Sequence, residues 1–177
     1  SGAENVEFTY SAEENGTYIN DVPVNAGEYF VKATIAATNN YTVAEKTVRF
    51  VIAKAANEIT TLTITGWTYG EKANTPAITA LSGAENVEFT YSAEENGTYV
   101  SDVPVNAGAY YVKAMIAESD NYTAVFKTAR FDIAQAVNAV TMSEDILTLG
   151  CGEQLPDFGA TAKFGTVDYT YSKDGET

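Results

Sequence analysis

The side chains in this sequence that suggest acid–base chemistry are the carboxylates Glu85, Glu88, Glu94, Glu95 and Asp102, gathered around one predicted hairpin. Two such groups can give and take a proton across a scissile bond when their environments differ. Little else here supports that work. The chain has no histidine, which removes the commonest general base, the switch near neutral pH and the commonest transition-metal ligand. Serine or cysteine nucleophiles therefore lack a base to activate them, and no glycine-rich phosphate loop is present. The same five carboxylates recur as Glu4, Glu7, Glu13, Glu14 and Asp21. Enzymes rarely carry active sites in tandem copies. The groups read as solvated turn and outer-face residues, and the expectation is a chain that is not an enzyme and holds no cofactor.

Calcium is the one metal the residue types invite. Glu118, Asp120 and Asn121 offer hard oxygen ligands on a loop. Their spacing is not that of an EF-hand, and the earlier copy has Ala37, Asn39 and Asn40 instead, so no metal site is assigned. Asn15-Gly16-Thr17, Asn40-Tyr41-Thr42, Asn96-Gly97-Thr98 and Asn121-Tyr122-Thr123 match the N-glycosylation pattern and read as turns. Lys32 and Lys113 alternate outward, which does not suit isopeptide cross-links that form in buried apolar sites. Aromatic side chains offer another chemistry, the stacking of rings on sugars. Tyr111 and Phe30 alternate outward from the apolar set, and Tyr99, Tyr122 and Trp67 lie in or near loops. These five form the candidate binding face. The competing role for each is packing, with Trp67 capping the core and Tyr122 closing the final turn.

Composition narrows the partners. Ten basic residues against 24 acidic ones give a formal charge of -14, a field that repels nucleic acid and anionic lipid. Neither nucleic acid nor a membrane is expected to contact this piece. Cys151 is the single cysteine, so no internal disulfide can form. A secreted animal domain of this size would carry paired cysteines, whereas bacterial surface modules often do without them. No apolar run approaches the length of a membrane span, and no leader pattern is visible. The expectation is an interior piece of an extracellular bacterial protein, at the cell surface or secreted, with any anchor outside it.

The elements that must position these residues are set by a repeat. SGAENVEFTYSAEENGTY at 1–18 recurs unchanged at 82–99, a period of 81 residues, and the match runs on through DVPVNAG to Arg49-Phe50 and Arg130-Phe131. A diverged third copy begins near Thr141, where Cys151-Gly152-Glu153 answers Tyr69-Gly70-Glu71 and 167–172 answers 87–92. Boundaries are placed after Phe-x-Ile-Ala, near Ala56 and Ala136. That gives the C-terminal part of a first module at 1–56, a complete second module at 57–136 and the N-terminal part of a third at 137–177. Incomplete modules leave bare strand edges, so self-association through the end modules is a further expectation.

Within the whole module, period-two alternation predicts strands at Ile59–Thr65, Ala77–Leu81, Val87–Ser92, Gly108–Ile116 and Val125–Ala134. Asn96-Gly97 predicts a type I′ hairpin turn, Pro104 an edge position, and Phe126, Phe131 and Ile133 the apolar anchors of the last strand. No window has a helical period. The prediction is all-β: tandem small immunoglobulin-like β-sandwich modules. Asn106-Ala107-Gly108-x-Tyr110-x-Val112 and its copy from Asn25 resemble the tyrosine corner of immunoglobulin-like domains, without the cysteine that would follow. With Tyr-Gly-Glu, Asn-Tyr and Phe-x-Ile-Ala, the set is similar to bacterial surface repeats of the MBG and bacterial immunoglobulin-like kind. That resemblance implies a scaffold, with β-grasp-like modules as the alternative fold. The expected function is a non-catalytic stalk or spacer; the alternative is an adhesion module that binds a host glycan or protein weakly and multivalently.

Overall fold

The computed structural model describes residues 5–142, 148–154 and 158–172. The first repeat contributes β1 (Val6–Ser11), β2 (Gly27–Ile35) and β3 (Ala44–Ile52), an antiparallel sheet in that order. The second contributes β4 (Ile59–Thr63), β5 (Trp67–Thr68), β6 (Ala77–Ala80), β7 (Glu88–Ser92), β8 (Gly108–Ile116) and β9 (Val125–Ala134). A short pair, β10 (Val140–Thr141) and β11 (Thr161–Ala162), follows. The chain is all-β, of β-sandwich type. The one helical stretch among the described residues is the 3-10 turn Ala84–Asn86, so the crossing helix of a β-grasp has no counterpart there.

The second repeat is built from two layers. Strands β5-β9-β8-β7 form one sheet, and the β4–β6 pair covers it. The antiparallel register sets Tyr91, Val112 and Ala129 side by side, and Tyr110 beside Phe131. Cross-strand neighbours share a face, so this face is continuously apolar. Val112 is 0% exposed and Ile116 3%. Phe131 is the hub: Trp67 stacks on it at 5.2 Å, Tyr91 meets it edge-on at 6.1 Å and Tyr110 at 5.9 Å. Such ring pairs add to the burial of their area.

Several local expectations need correction. Residues 67–71 do not simply turn: Trp67 and Thr68 form a strand parallel to Ile133 and Ala134. The turn begins after them, with Gly70 at φ 87 and the Glu71 carboxylate accepting from Thr68 N at 2.9 Å. Plain alternation also fails in β4. A register shift between Ile59 and Thr61 turns both Ile59 and Leu62 inward, as a bulge does. Asn96-Gly97 is not a type I′ turn, because Gly97 does not have positive φ. Its amide bonds Glu94 O at 3.1 Å, and a Cβ there would stand 2.7 Å from Ser92 Oγ. Close approach requires this glycine, not backbone handedness. The segment around Pro104 forms no strand; only Val100 bridges to Tyr91. Phe126 is no anchor: it alternates to the outer face and is 67% exposed.

The third segment repeats the opening of the second. Asn57 bonds the backbone of Ser82 in both directions through its side-chain amide. Asn138 does the same with Phe164. The Glu71 turn recurs too: Gly152 has φ 90, and Glu153 accepts from Gly150 N at 2.8 Å.

Candidate functional site

Two surfaces carry the residues of interest: the outer face of each main sheet and the joint between the first two repeats. On the outer face of the second repeat, Tyr111 stands between Ser92 and Arg130 in register, two residues from Lys113 on the same face. The Lys113 ammonium lies 3.9 Å over the Tyr99 ring and 5.6 Å from that of Phe126. Tyr99 is fixed from its other end, since its hydroxyl donates to Glu95 O at 2.8 Å. Burial, then the nearby Glu95 and Tyr111, raise its pKa above the ordinary phenol value. The arrangement is built twice. Lys32 lies 4.2 Å over Tyr18, whose hydroxyl donates to Glu14 O at 2.8 Å, and Phe30 takes the position of Tyr111 between Ser11 and Arg49. Each ammonium thus has an aromatic platform, and neither is buried for an isopeptide cross-link.

Of the five proposed face residues, the fold brings Tyr99 and Tyr111 together and sets Phe30 on the matching face of the other repeat. Trp67 must be removed from the set. It is 8% exposed and stacked on Phe131, because the parallel pairing of β5 with β9 aims the indole inward. Tyr122 belongs to the joint.

That joint is built from loop residues of both repeats. The Asn121 side chain accepts from Ala26 N at 2.8 Å and donates to Asn25 Oδ1 at 3.0 Å. Its backbone oxygen accepts from Ala55 N at 2.8 Å, and Ala55 O accepts from Thr123 N at 3.0 Å, so Ala55 and Tyr122 form a parallel bridge. Lys54 pairs with Glu118 at 3.1 Å. The loop read as a calcium candidate is therefore engaged otherwise. Glu118 neutralises a lysine and Asn121 ties two repeats together. Among the described residues, no group of three or more His, Cys, Asp or Glu is arranged to hold a metal. The signal that could have found the joint was present: Asn25-Ala26 and Asn121 recur one period away as Asn106-Ala107 and Asn40.

The carboxylates considered for acid–base chemistry, Glu85, Glu88, Glu94, Glu95 and Asp102, are all exposed. Tyr29 and Tyr110 pack alike on Phe50 and Phe131, at 5.8 and 5.9 Å, and the tyrosine corner closes in the first repeat, where Tyr29 donates to Asn25 O at 3.2 Å. Among the described residues no helix is long and apolar enough to cross a membrane.

Comparison with curated proteins and with solved structures gave no match. A family model described as the MBG domain matches residues 1–56 and again 59–137. This non-catalytic domain type is found as a repeat module of bacterial surface proteins. With two matches that together span most of its length, the chain belongs to the MBG domain family.

Proposed function

We propose that the chain is a spacer: a length of stalk in an extracellular bacterial protein, at the cell surface or secreted, that holds other parts of that protein at a distance. The joint around Asn121 carries this reading. A flexible linker would leave consecutive modules free to fold back on one another. Here, four hydrogen bonds and an ion pair cross from the end of one repeat to a loop of the next. Two of those bonds use both ends of one amide, which fixes direction as well as distance. Copying such a module adds length without new specificity, which suits a repeat of 18 identical residues. The acidic surface keeps the stalk soluble and clear of anionic polymers.

The test is small-angle scattering and nuclear relaxation on the whole chain and on Asn121→Ala. The two sheets should tumble as one body in the parent. Loss of the latch, costing about 1–2 kcal/mol of coupling, should separate their correlation times and broaden the distance distribution. Independent tumbling in the parent would sink the spacer reading.

One observation favours a second reading, adhesion. The paired platforms Tyr99–Lys113 and Tyr18–Lys32 are displayed on matching outer faces, and linked weak sites gain avidity of roughly 10²–10⁴. A panel of immobilised glycans, mucin and matrix proteins, with Tyr111→Ala as the control, separates the two. Binding that this variant weakens supports adhesion.

A further inference from the structure

The chain contains Asn-Gly twice, at Asn15-Gly16 and Asn96-Gly97, and the fold sets both pairs in the same turn, after β1 in one repeat and after β7 in the other. In the second repeat the Ser92 hydroxyl accepts from Glu94 N at 3.2 Å, and Gly97 N donates to Glu94 O at 3.1 Å. The Tyr99 hydroxyl donates to Glu95 O at 2.8 Å. In the first repeat Ser11, Glu13, Glu14, Gly16 and Tyr18 make the same three bonds at the same distances. These contacts fix the chain on either side of each asparagine. The asparagines themselves are exposed. The side-chain amides of Asn57, Asn74, Asn121 and Asn138 are engaged elsewhere, whereas those of Asn15 and Asn96 have no partner among the described residues.

The fold also dictates the glycine that follows. A Cβ on Gly16 would stand 2.8 Å from Ser11 Oγ, and one on Gly97 2.7 Å from Ser92 Oγ. The same lack of a side chain leaves the glycine nitrogen uncrowded. A ring closed between that nitrogen and the asparagine Cγ has only five members. The turn therefore holds together an exposed amide and the backbone nitrogen best able to attack it.

We propose that Asn15 and Asn96 are modification sites, at which the folded chain slowly converts asparagine to aspartate and isoaspartate without an enzyme. The glycine nitrogen loses its proton to solvent base and attacks Cγ. The new N–Cγ bond replaces the Cγ–Nδ2 bond, and the amide nitrogen takes a proton from water and leaves as ammonia. Water then adds to one of the two carbonyl carbons of the succinimide, and the ring opens to a carboxylate. Each site consumes one water and releases one ammonia, with no change of oxidation state. The turn sets the pace. The attacking nitrogen is the one whose N–H is tied to Glu13 O or Glu94 O, so the ring closes only while that bond is open. One neutral hydrogen bond of this kind slows the reaction about two- to tenfold. Protection is partial, because opening a surface turn leaves the strands and the core in place.

The product changes the surface. Each conversion adds a negative charge to a chain already at -14. Isoaspartate also lengthens the main chain by one carbon between Glu95 and Gly97, which upsets the spacing that joins Glu94 O to Gly97 N. Tyr99, anchored in this turn, carries the Lys113 ammonium 3.9 Å over its ring, so conversion at Asn96 reaches the outer face. The inference is independent of the spacer reading, which rests on the joint.

Peptide mapping by mass spectrometry tests it, on the whole chain kept in mildly alkaline buffer, with the chain unfolded in denaturant as reference. Asn15 and Asn96 should convert at equal rates, about two- to tenfold more slowly than in the unfolded chain. Asn40 and Asn121, each followed by tyrosine, should stay unconverted over the same period. Ser92→Ala frees Glu94 N, and Tyr99→Phe frees Glu95 O while keeping the ring. Each should bring Asn96 toward the unfolded rate, while Asn15 in the same molecule keeps its own. Full protection of both asparagines while the unfolded chain converts overturns the proposal. So does conversion as fast in the folded chain as in the unfolded one, or an Asn96 rate that neither variant moves.

Discussion

The first two repeats share a stretch of 18 identical residues and differ sharply in what their sheets experience. Tyr91 is buried and Tyr10 only half-buried; Val112 is sealed and Val31 is not. The strands, registers and back-bonded tyrosines are nevertheless the same in both. The comparison separates two things that usually arrive together. Hairpin geometry and register are local and follow from the shared residues. A core requires a second layer, and only the repeat carrying β4–β6 has one among the described residues. Cooperative stability should therefore concentrate in the second repeat.

The largest effect that would break this contrast is at the hub. Phe131→Ala should cost about 3–5 kcal/mol, the usual cost of a large aromatic removed from a packed core. Phe50→Ala, at the matching position, should cost well under half of that. Amide hydrogen exchange resolved by repeat reads both, and equal losses would mean that the first sheet has a cover. Next is the lysine on the core face. Lys127→Met removes two charged hydrogen bonds, to Ile59 O and Thr60 O, and should cost about 2 kcal/mol, while Lys46→Met should leave the chain unchanged by denaturant titration. The smallest effect is on pH. Burial raises the pKa of Tyr91 above its ordinary value. The folded state therefore favours the neutral phenol. Its contribution is fully present below about pH 10 and is lost as the pH rises through the folded value. Thermal melts between pH 9 and 12 should fall less steeply for Tyr91→Phe than for the parent.

Much of this fold was legible in residue order. The strand Gly108–Ile116 alternates so cleanly that its two faces, Tyr110-Val112-Ala114-Ile116 and Tyr111-Lys113-Met115, follow from pattern alone, and the structure has them so. Shorter segments misled. Thr61 and Thr63 look in phase with Ile59 until the bulge between Ile59 and Thr61 moves Leu62 inward. Phe126 looked like an anchor from its type, and its position in register put it outside. Gly97 belongs to a turn for a steric reason that lies across the hairpin at Ser92, where a propensity rule does not look.

The candidate sites divide in the same way. The outward set of Tyr111, Phe30, Lys113 and Lys32 was readable because alternation fixes faces. Trp67 and Tyr122 were not, because their roles depend on chain segments far away in sequence: β9 for the indole and the end of the first repeat for the tyrosine. The joint was the hardest to see. Asn25, Ala55 and Asn121 are polar or small residues in loops, and only proximity makes them a latch.

Sequence by itself determined that this is a repetitive, acidic, all-β chain lacking histidine, with the inner face of a long strand such as Gly108–Ile116 written in alternating side chains. Periodicity and composition are properties of order along the chain, and they constrain what backbone hydrogen bonding will do locally. Tertiary structure alone decided which faces were covered, which aromatic residues stayed at the surface and how one repeat grips the next. Those outcomes depend on residues up to 96 positions apart meeting at 3.0 Å, and no local pattern encodes that distance.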